Sequence, residues 1–128
     1  IIILKENNIK NIKLPVSAPF HCSLMNKATN IMREELNKLN FMNGGNKLIS
    51  NVTAKEISNT DELKDLLIKQ IENRVRWRES AINMINNDIN HFIEIGPGKV
   101  LSGLIKRISK EVKIDTINNQ GDIESLKI

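Results

Sequence analysis

The amino-acid sequence predicts an α/β fold, in which helices connect parallel strands. Two observations carry this prediction: apolar residues recur at helical spacing in several segments, and the C-terminal third contains a strand-like, a helical and a second strand-like segment in succession. These three segments are residues 91–95, 100–108 and 112–117. A strand, a helix and a strand in this order form a β–α–β unit, which requires parallel strands.

Upstream of this unit, the same patterns predict helices, strands and a turn. In chain order these are the end of a helix at 1–10, a short strand at 11–16, a helix with apolar residues at 24, 28, 31, 32, 36 and 39, a turn at 43–46, a strand at 47–53, and helices at 61–72 and 77–86. Asn7 and Asn8 stop the first helix. Asn59 or Thr60 can cap the helix at 61–72, and Trp77 is interpreted as a core residue.

Composition narrows the classes of function. The net charge of +4 is modest and aromatic residues make up 3% of the chain, so nucleic-acid binding by base stacking is not expected. There is no run of 18 apolar residues, which predicts no membrane span. The single cysteine fits a reducing compartment. Because the sequence lacks an initial methionine and starts within an element, we expect it to be a piece of a longer chain.

The loop around His21 is the strongest functional signal. Pro15 and Pro19 limit the conformations of this loop, which leads directly into an amphipathic helix. A histidine can act as a general acid or base near neutral pH. The residues alone leave a structural histidine as the alternative, because no partner nucleophile is evident. Cys22 is adjacent to His21, which is an awkward geometry for a nucleophile–base pair.

Two other motifs have simpler interpretations. The Gly-Pro-Gly segment at 96–98 joins a strand to a helix but has neither dinucleotide-binding nor phosphate-loop spacing, so a structural turn is favoured over an anion site. A metal site formed by His21, Cys22 and His91 is not expected, because no second cysteine or clustered carboxylate completes the ligand set. His91 opens a strand and is interpreted as a surface or edge residue.

Four segments resemble the malonyl-CoA:acyl carrier protein transacylases, in that family's order and at about its spacing. They are residues 14–25 (LPVSAPFHCSLM), 49–53 (ISNVT), 70–77 (QIENRVRW) and 92–104 (FIEIGPGKVLSGL). The resemblance extends over roughly residues 9–126. It implies the C-terminal part of a hydrolase-like, parallel-sheet acyltransferase domain at 18–128, preceded by the tail of a small ferredoxin-like subdomain at 1–17.

The resemblance also implies roles for individual residues. His21 is the general base that takes the proton of a serine as that serine attacks the malonyl thioester, and the main-chain carbonyl of Gln70 orients it. Phe20 crowds a methyl group on the substrate α-carbon and so favours malonyl over methylmalonyl, while Asn51 lies near the pocket. Arg74 stands where the family often has proline, which alters loop stiffness and removes no chemical group.

The family's serine motif, G-H-S-x-G, and its carboxylate-binding arginine are absent from these 128 residues. We therefore expect the chain alone to be inactive, with a missing N-terminal part supplying the nucleophile. The resemblance implies fatty-acid synthesis in a bacterial cytoplasm or organelle matrix, with malonyl-CoA as substrate and acyl carrier protein as partner. The carrier brings its own phosphopantetheine, so no cofactor, metal, nucleic acid or membrane is expected. The alternative is a non-catalytic module of the same fold that docks a carrier protein or a larger synthase.

Overall fold

The computed structural model describes residues 2–12, 16–42 and 44–126. Its helices and strands are, in chain order, α1 (Ile2–Glu6), α2 (Asn26–Asn37), α3 (Thr60–Lys69), α4 (Trp77–Asn86), β1 (His91–Ile95), α5 (Val100–Ile108), β2 (Lys113–Ile117) and α6 (Gln120–Ser125). A short 3₁₀ turn, Ser23–Met25, leads into α2. Pro15 of the predicted histidine loop and Asn43 of the predicted turn lie outside the described residues.

The β–α–β unit is present as predicted, which confirms the α/β class. β1 and β2 are parallel neighbours, with His91 opposite Lys113 and Ile95 opposite Ile117. α5 connects them and packs on both strands, α4 packs on α5, and α6 packs on β2. Phe92 in β1 and Ile105 in α5 are both buried. The unit is therefore held together by packing of the connecting helix as well as by the strand ladder.

The two helices in the middle of the chain also follow the prediction. α4 has the predicted bounds, and its first residue, Trp77, is half-buried. α3 begins after Asn59, whose side chain accepts a hydrogen bond from the backbone N–H of Glu62 at 2.9 Å, as an N-cap residue does. α3 ends at Lys69, earlier than predicted, because the N–H groups of Ile71 and Glu72 bond carbonyls three residues back, each at 3.3 Å, in place of the four-residue α-helical pattern.

The strand predicted at 47–53 is wrong. In its place the described chain has a single antiparallel bridge between Ile49 and Glu56, closed by a tight turn. The hydroxyl of Ser50 accepts hydrogen bonds from the N–H groups of Val52 and Thr53. A serine that bonds its own downstream backbone competes with strand pairing, and this local competition decides the conformation here.

Of the remaining predictions in the N-terminal part of the chain, the end of the first helix and the turn at 43–46 agree with the structure, whereas the strand at 11–16 does not. α1 ends at Glu6 and is followed by a turn at Asn7 and Asn8, as predicted. The strand predicted at 11–16 is not supported, because residues 11, 12 and 16 lie outside any strand and residues 13–15 lie outside the described residues. The turn predicted at 43–46 is present over its described part, where Gly45 has a φ of +70°.

α2 shows where apolar spacing predicts a helix without predicting what covers it. The helix begins at Asn26 and packs on α3, with Thr29 as its buried residue. Ile31 and Met32, two members of the predicted apolar stripe, are 56% and 42% exposed. The stripe therefore borders an open groove instead of filling a closed core.

The buried apolar core of the described residues is small. Its members are Ala54, Leu66, Ile68, Ala81, Phe92 and Ile105. The sequence did not predict α6, although its signal is present: Asn119 and Asp122 form a reciprocal capping box at the start of that helix. Within residues 2–12, 16–42 and 44–126, no helix has the length and apolar character needed to cross a membrane.

Candidate active site

His21 lies at the centre of the candidate site, on the turn that precedes α2. Tight backbone bonding shapes this turn: Phe20 N–H donates to Ala18 O, and Met25 N–H donates to Cys22 O, each at 3.0 Å. His21 has a φ of +62°, in the left-handed region that non-glycine residues rarely occupy. Backbone strain of this kind concentrates at functional positions, where surrounding contacts hold it in place.

The His21 ring is held against the end of α3 by two main-chain carbonyls. Its Nδ1 lies 2.9 Å from the carbonyl oxygen of Gln70 and 3.1 Å from that of Asn73. Since carbonyl oxygens only accept hydrogen bonds, Nδ1 must carry a proton. In the neutral ring Nε2 is then the unprotonated nitrogen, which is the form a general base needs.

Gln70 is fixed on both its backbone and its side chain. Its N–H continues the helical bonding of α3 to Leu66 O at 3.0 Å. Its side-chain oxygen accepts a hydrogen bond from the Asn51 amide at 3.2 Å, and Asn51 O in turn accepts from Arg76 N–H at 2.9 Å. The structure thus brings Asn51, Gln70 and His21 into one chain of contacts.

Phe20 borders an open apolar groove beside His21. The groove has a volume of about 510 Å³ and is lined by Phe20, His21, Met25, Met32, Leu36, Leu67, Gln70 and Ile71. Phe20 is 58% exposed at its mouth. Asn51 does not line this groove; it lines a smaller cavity of about 200 Å³, which Gln70 also lines. Phe20 and His21 therefore share one groove, Asn51 lines a second cavity, and Gln70 borders both.

Cys22 and His91 have partners elsewhere. The Cys22 thiol donates to Pro19 O at 3.2 Å. His91, predicted as a surface or edge residue, is half-buried in β1, and its Nε2 lies 2.7 Å from the Asp115 carboxylate on β2. The hydrogen bond from His91, with help from Lys113, holds the pKa of Asp115 below its ordinary value. Within the part of the chain that the structure describes, no three His, Cys, Asp or Glu side chains are grouped as metal ligands.

The Gly-Pro-Gly segment forms the turn between β1 and α5. Gly96 and Gly98 have φ values of +136° and +95°, which favour glycine. The carboxylate of Glu94 accepts the N–H groups of Leu101 and Ser102 at 3.1 and 2.7 Å. The hydroxyl and N–H of Ser102 lower the pKa of Glu94. The Glu94 carboxylate thus takes the N–H groups at the start of α5 that an external anion would bind, which agrees with the interpretation of this segment as a structural turn.

The second carbonyl on His21, that of Asn73, was not predicted from the sequence. Its signal is an asparagine just past a helix end, where Asn is common because its side chain bonds local backbone groups. Here the Asn73 side-chain amide donates to Lys69 O at 2.7 Å.

Comparison with known proteins gives three informative similarities. The malonyl CoA-acyl carrier protein transacylase of Bacillus subtilis is 38% identical over 123 residues, 95% of this chain and 39% of that protein. A crystal structure of an acyl carrier protein S-malonyltransferase from Vibrio cholerae matches with a TM-score of 0.88 and 35% identity, covering 98% of this chain and 42% of that one. A type II PKS acyl carrier protein in complex with its malonyl-transacylase matches with a TM-score of 0.86 and 30% identity, covering 94% and 40%.

These similarities cover nearly all of this chain but only about two fifths of the relatives' length. No protein-family model matches the chain. The structural matches confirm the predicted fold class, part of an acyltransferase fold with a parallel sheet. The ferredoxin-like assignment of residues 1–17 and the boundary before residue 18 stay predictions.

Proposed function

Because this chain is homologous to part of the malonyl CoA-acyl carrier protein transacylases, we propose that it supplies the general base for malonyl transfer. The observation that carries the proposal is the His21 ring, whose Nδ1 faces carbonyl oxygens at 2.9 and 3.1 Å. Those acceptors keep the proton on Nδ1 and leave Nε2 to accept another. The reaction moves a malonyl group from coenzyme A to the phosphopantetheine thiol of acyl carrier protein, in fatty-acid synthesis.

The transfer takes place in two balanced steps. A serine hydroxyl from outside these residues attacks the malonyl thioester carbonyl, and His21 Nε2 takes the hydroxyl proton. The C–S bond breaks, the coenzyme A thiolate takes the proton from Nε2, and a seryl ester remains. The carrier thiol then gives its proton to Nε2 and attacks the ester, and the serine regains a proton as its oxygen leaves. The carbonyls of Gln70 and Asn73 stabilise the imidazolium that forms in each step.

Phe20 acts on the substrate through the groove that His21 also lines, whereas Asn51 acts through Gln70. Phe20 stands at the mouth of the groove beside His21, where its ring crowds an α-methyl group. One methyl group of steric conflict changes selectivity by about 1–3 kcal/mol, so malonyl is preferred incompletely over methylmalonyl. Asn51 supports the pocket through the 3.2 Å hydrogen bond to the Gln70 side chain.

Acyl carrier protein is the proposed macromolecular partner. A relative of this chain is known in complex with an acyl carrier protein, and the net charge of +4 favours an acidic partner. The carrier delivers its own phosphopantetheine arm, so the reaction needs no cofactor or metal from this chain. We also propose a bacterial cytoplasm or an organelle matrix as its compartment. The serine, the carboxylate-binding arginine and the oxyanion hole come from the missing N-terminal part.

A chimera tests this proposal. This chain replaces its matching 39% of the Bacillus subtilis relative, and malonyl transfer from malonyl-CoA to carrier protein is measured. We expect transfer by the chimera, none by this chain alone, and a loss of at least a hundredfold in His21→Ala. His91→Gln changes the other histidine, which bonds Asp115, and is expected to retain activity. A folded chimera that transfers no malonyl group, or that is indifferent to His21→Ala, contradicts the proposal and favours the non-catalytic docking module.

A further inference from the structure

The Nδ1 nitrogen of His21 has two hydrogen-bond acceptors, the carbonyls of Gln70 and Asn73. Nδ1 has one proton, and two carbonyl oxygens lie within hydrogen-bond distance, at 2.9 Å for Gln70 and 3.1 Å for Asn73. The proton is therefore shared between two acceptors. A ring that rotates away loses both contacts, so two acceptors restrict its orientation more than one does.

Asn73 ends a last, tighter turn that continues past α3, and this turn places its carbonyl beside the carbonyl of Gln70 at the ring. The carbonyl of Lys69 accepts two hydrogen bonds from Asn73, one from its backbone N–H at 3.1 Å and one from its side-chain amide at 2.7 Å. The backbone bond has the four-residue spacing of an α-helix, and the side-chain bond is a second contact to the same oxygen. Its side chain is directed to Lys69 and its backbone carbonyl is directed to His21.

Separate side chains hold the neighbouring residues of this segment. The Gln70 side chain accepts a hydrogen bond from the Asn51 amide at 3.2 Å, and the Glu72 side chain accepts one from the amide of Asn26 in α2 at 3.2 Å. The side chain of Asn73, in contrast, bonds a backbone carbonyl of its own turn, that of Lys69 at 2.7 Å. A change at Asn73 therefore alters one of the two acceptors while leaving the anchors of Gln70 in place.

We propose that Asn73 is a positioning residue for His21, whose side-chain bond to Lys69 presents a second carbonyl to Nδ1 and so fixes the ring tautomer. The tautomer of His21 depends on the structure of the chain itself, whereas its catalytic consequence rests on the proposed function of His21 as the base. Asn73 touches no reacting atom in this scheme and acts through the histidine.

Nitrogen NMR of the two histidines tests the tautomer directly. His21 and His91 are the two histidines of the chain, and their bonded nitrogens differ. His21 bonds carbonyls through Nδ1, whereas His91 bonds Asp115 through Nε2 at 2.7 Å. In ¹⁵N-labelled protein at a pH where both rings are neutral, we expect His21 to carry its proton on Nδ1 and His91 on Nε2. The His91 signal also reports whether the sheet remains folded.

Three variants separate the effect of the side-chain hydrogen bond of residue 73 from the effect of its size. Asn73→Asp keeps the shape but has no N–H to donate, and Asn73→Ala removes the group entirely. In both, we expect the share of His21 with its proton on Nε2 to rise severalfold. Asn73→Ser restores a donor and is expected to keep the wild-type ratio. A hydroxyl makes such a bond elsewhere in this chain, from Thr29 to Met25 O at 3.2 Å.

The chimera supplies the kinetic readout. We expect kcat to fall about tenfold in Asn73→Asp with little change in KM, because a tenfold fall corresponds to the loss of one net hydrogen bond. In Asn73→Ser we expect kcat to return to nearly the wild-type value. An unchanged His21 tautomer in folded Asn73→Asp and Asn73→Ala overturns the positioning role, whatever the chimera does. A changed tautomer in a chimera that never transfers malonyl supports the positioning role and rejects the proposed function instead.

Discussion

Replacing His21 by glycine and by alanine measures the strain stored at the candidate base. His21 has a φ of +62°, where a side chain with a Cβ costs about 1–2 kcal/mol. Both substitutions remove the ring and its carbonyl contacts, but His21→Ala keeps the strained Cβ. His21→Gly removes the strain, but glycine also raises the conformational entropy of the unfolded chain, which lowers the stability by about 0.4–1 kcal/mol. The difference leaves His21→Gly more stable than His21→Ala by about 1 kcal/mol.

Thermal and urea unfolding measure this difference. With an unfolding entropy of about 2.1 cal/mol/K per residue over a chain of this length, about 1 kcal/mol corresponds to a Tm difference of about 4 °C. Glu34, exposed in the interior of α2, is the matched control: there glycine is expected to be less stable than alanine by about 1 kcal/mol. If His21→Gly is no more stable than His21→Ala, the positive φ stores no strain and the reasoning is refuted.

Three further predictions follow from individual contacts. The hydrogen bond from His91 holds the pKa of Asp115 low, so this carboxylate stabilises the fold above its ordinary pKa of 3.8 and loses that contribution as pH falls through the lowered value. In urea titrations, Asp115→Asn should therefore lose less unfolding free energy than the wild type between pH 5 and pH 3, and an equal loss contradicts this. Ile105→Ala, at a position 4% exposed, should cost about 2–5 kcal/mol of unfolding free energy. Ile123→Ala, at a position 59% exposed, should cost under about 0.5 kcal/mol, and equal losses argue against the described core. Phe20→Ala in the chimera should raise methylmalonyl relative to malonyl transfer about tenfold, and an unchanged ratio removes Phe20 from selectivity.

Much of the fold follows from local sequence signals. Asn59 marks the start of α3, the Gly-Pro-Gly segment marks the start of α5, and the β–α–β unit follows from three adjacent segments. These signals are local, because caps and turns depend on hydrogen bonds within a few residues. The strand at 47–53 failed for the same kind of reason: Ser50 bonds its own downstream backbone, and β-branched composition does not reveal that competition.

The sequence by itself predicted which residues carry chemistry, and those roles stay predictions. It placed His21 on a constrained turn before a helix, and the resemblance supplied Gln70, Phe20 and Asn51 as its companions. It also determined the class of the fold, since helical and strand-like periodicities are properties of single segments.

Only the tertiary structure decided how the histidine is held. Its Nδ1 lies within hydrogen-bond distance of two carbonyls, 49 and 52 positions away in sequence. The resemblance implied the first, that of Gln70, but the sequence did not predict the second, that of Asn73. The packing of α2 on α3 brings those groups together. Long-range contacts of this kind depend on the packing of whole helices, which single-segment patterns do not encode.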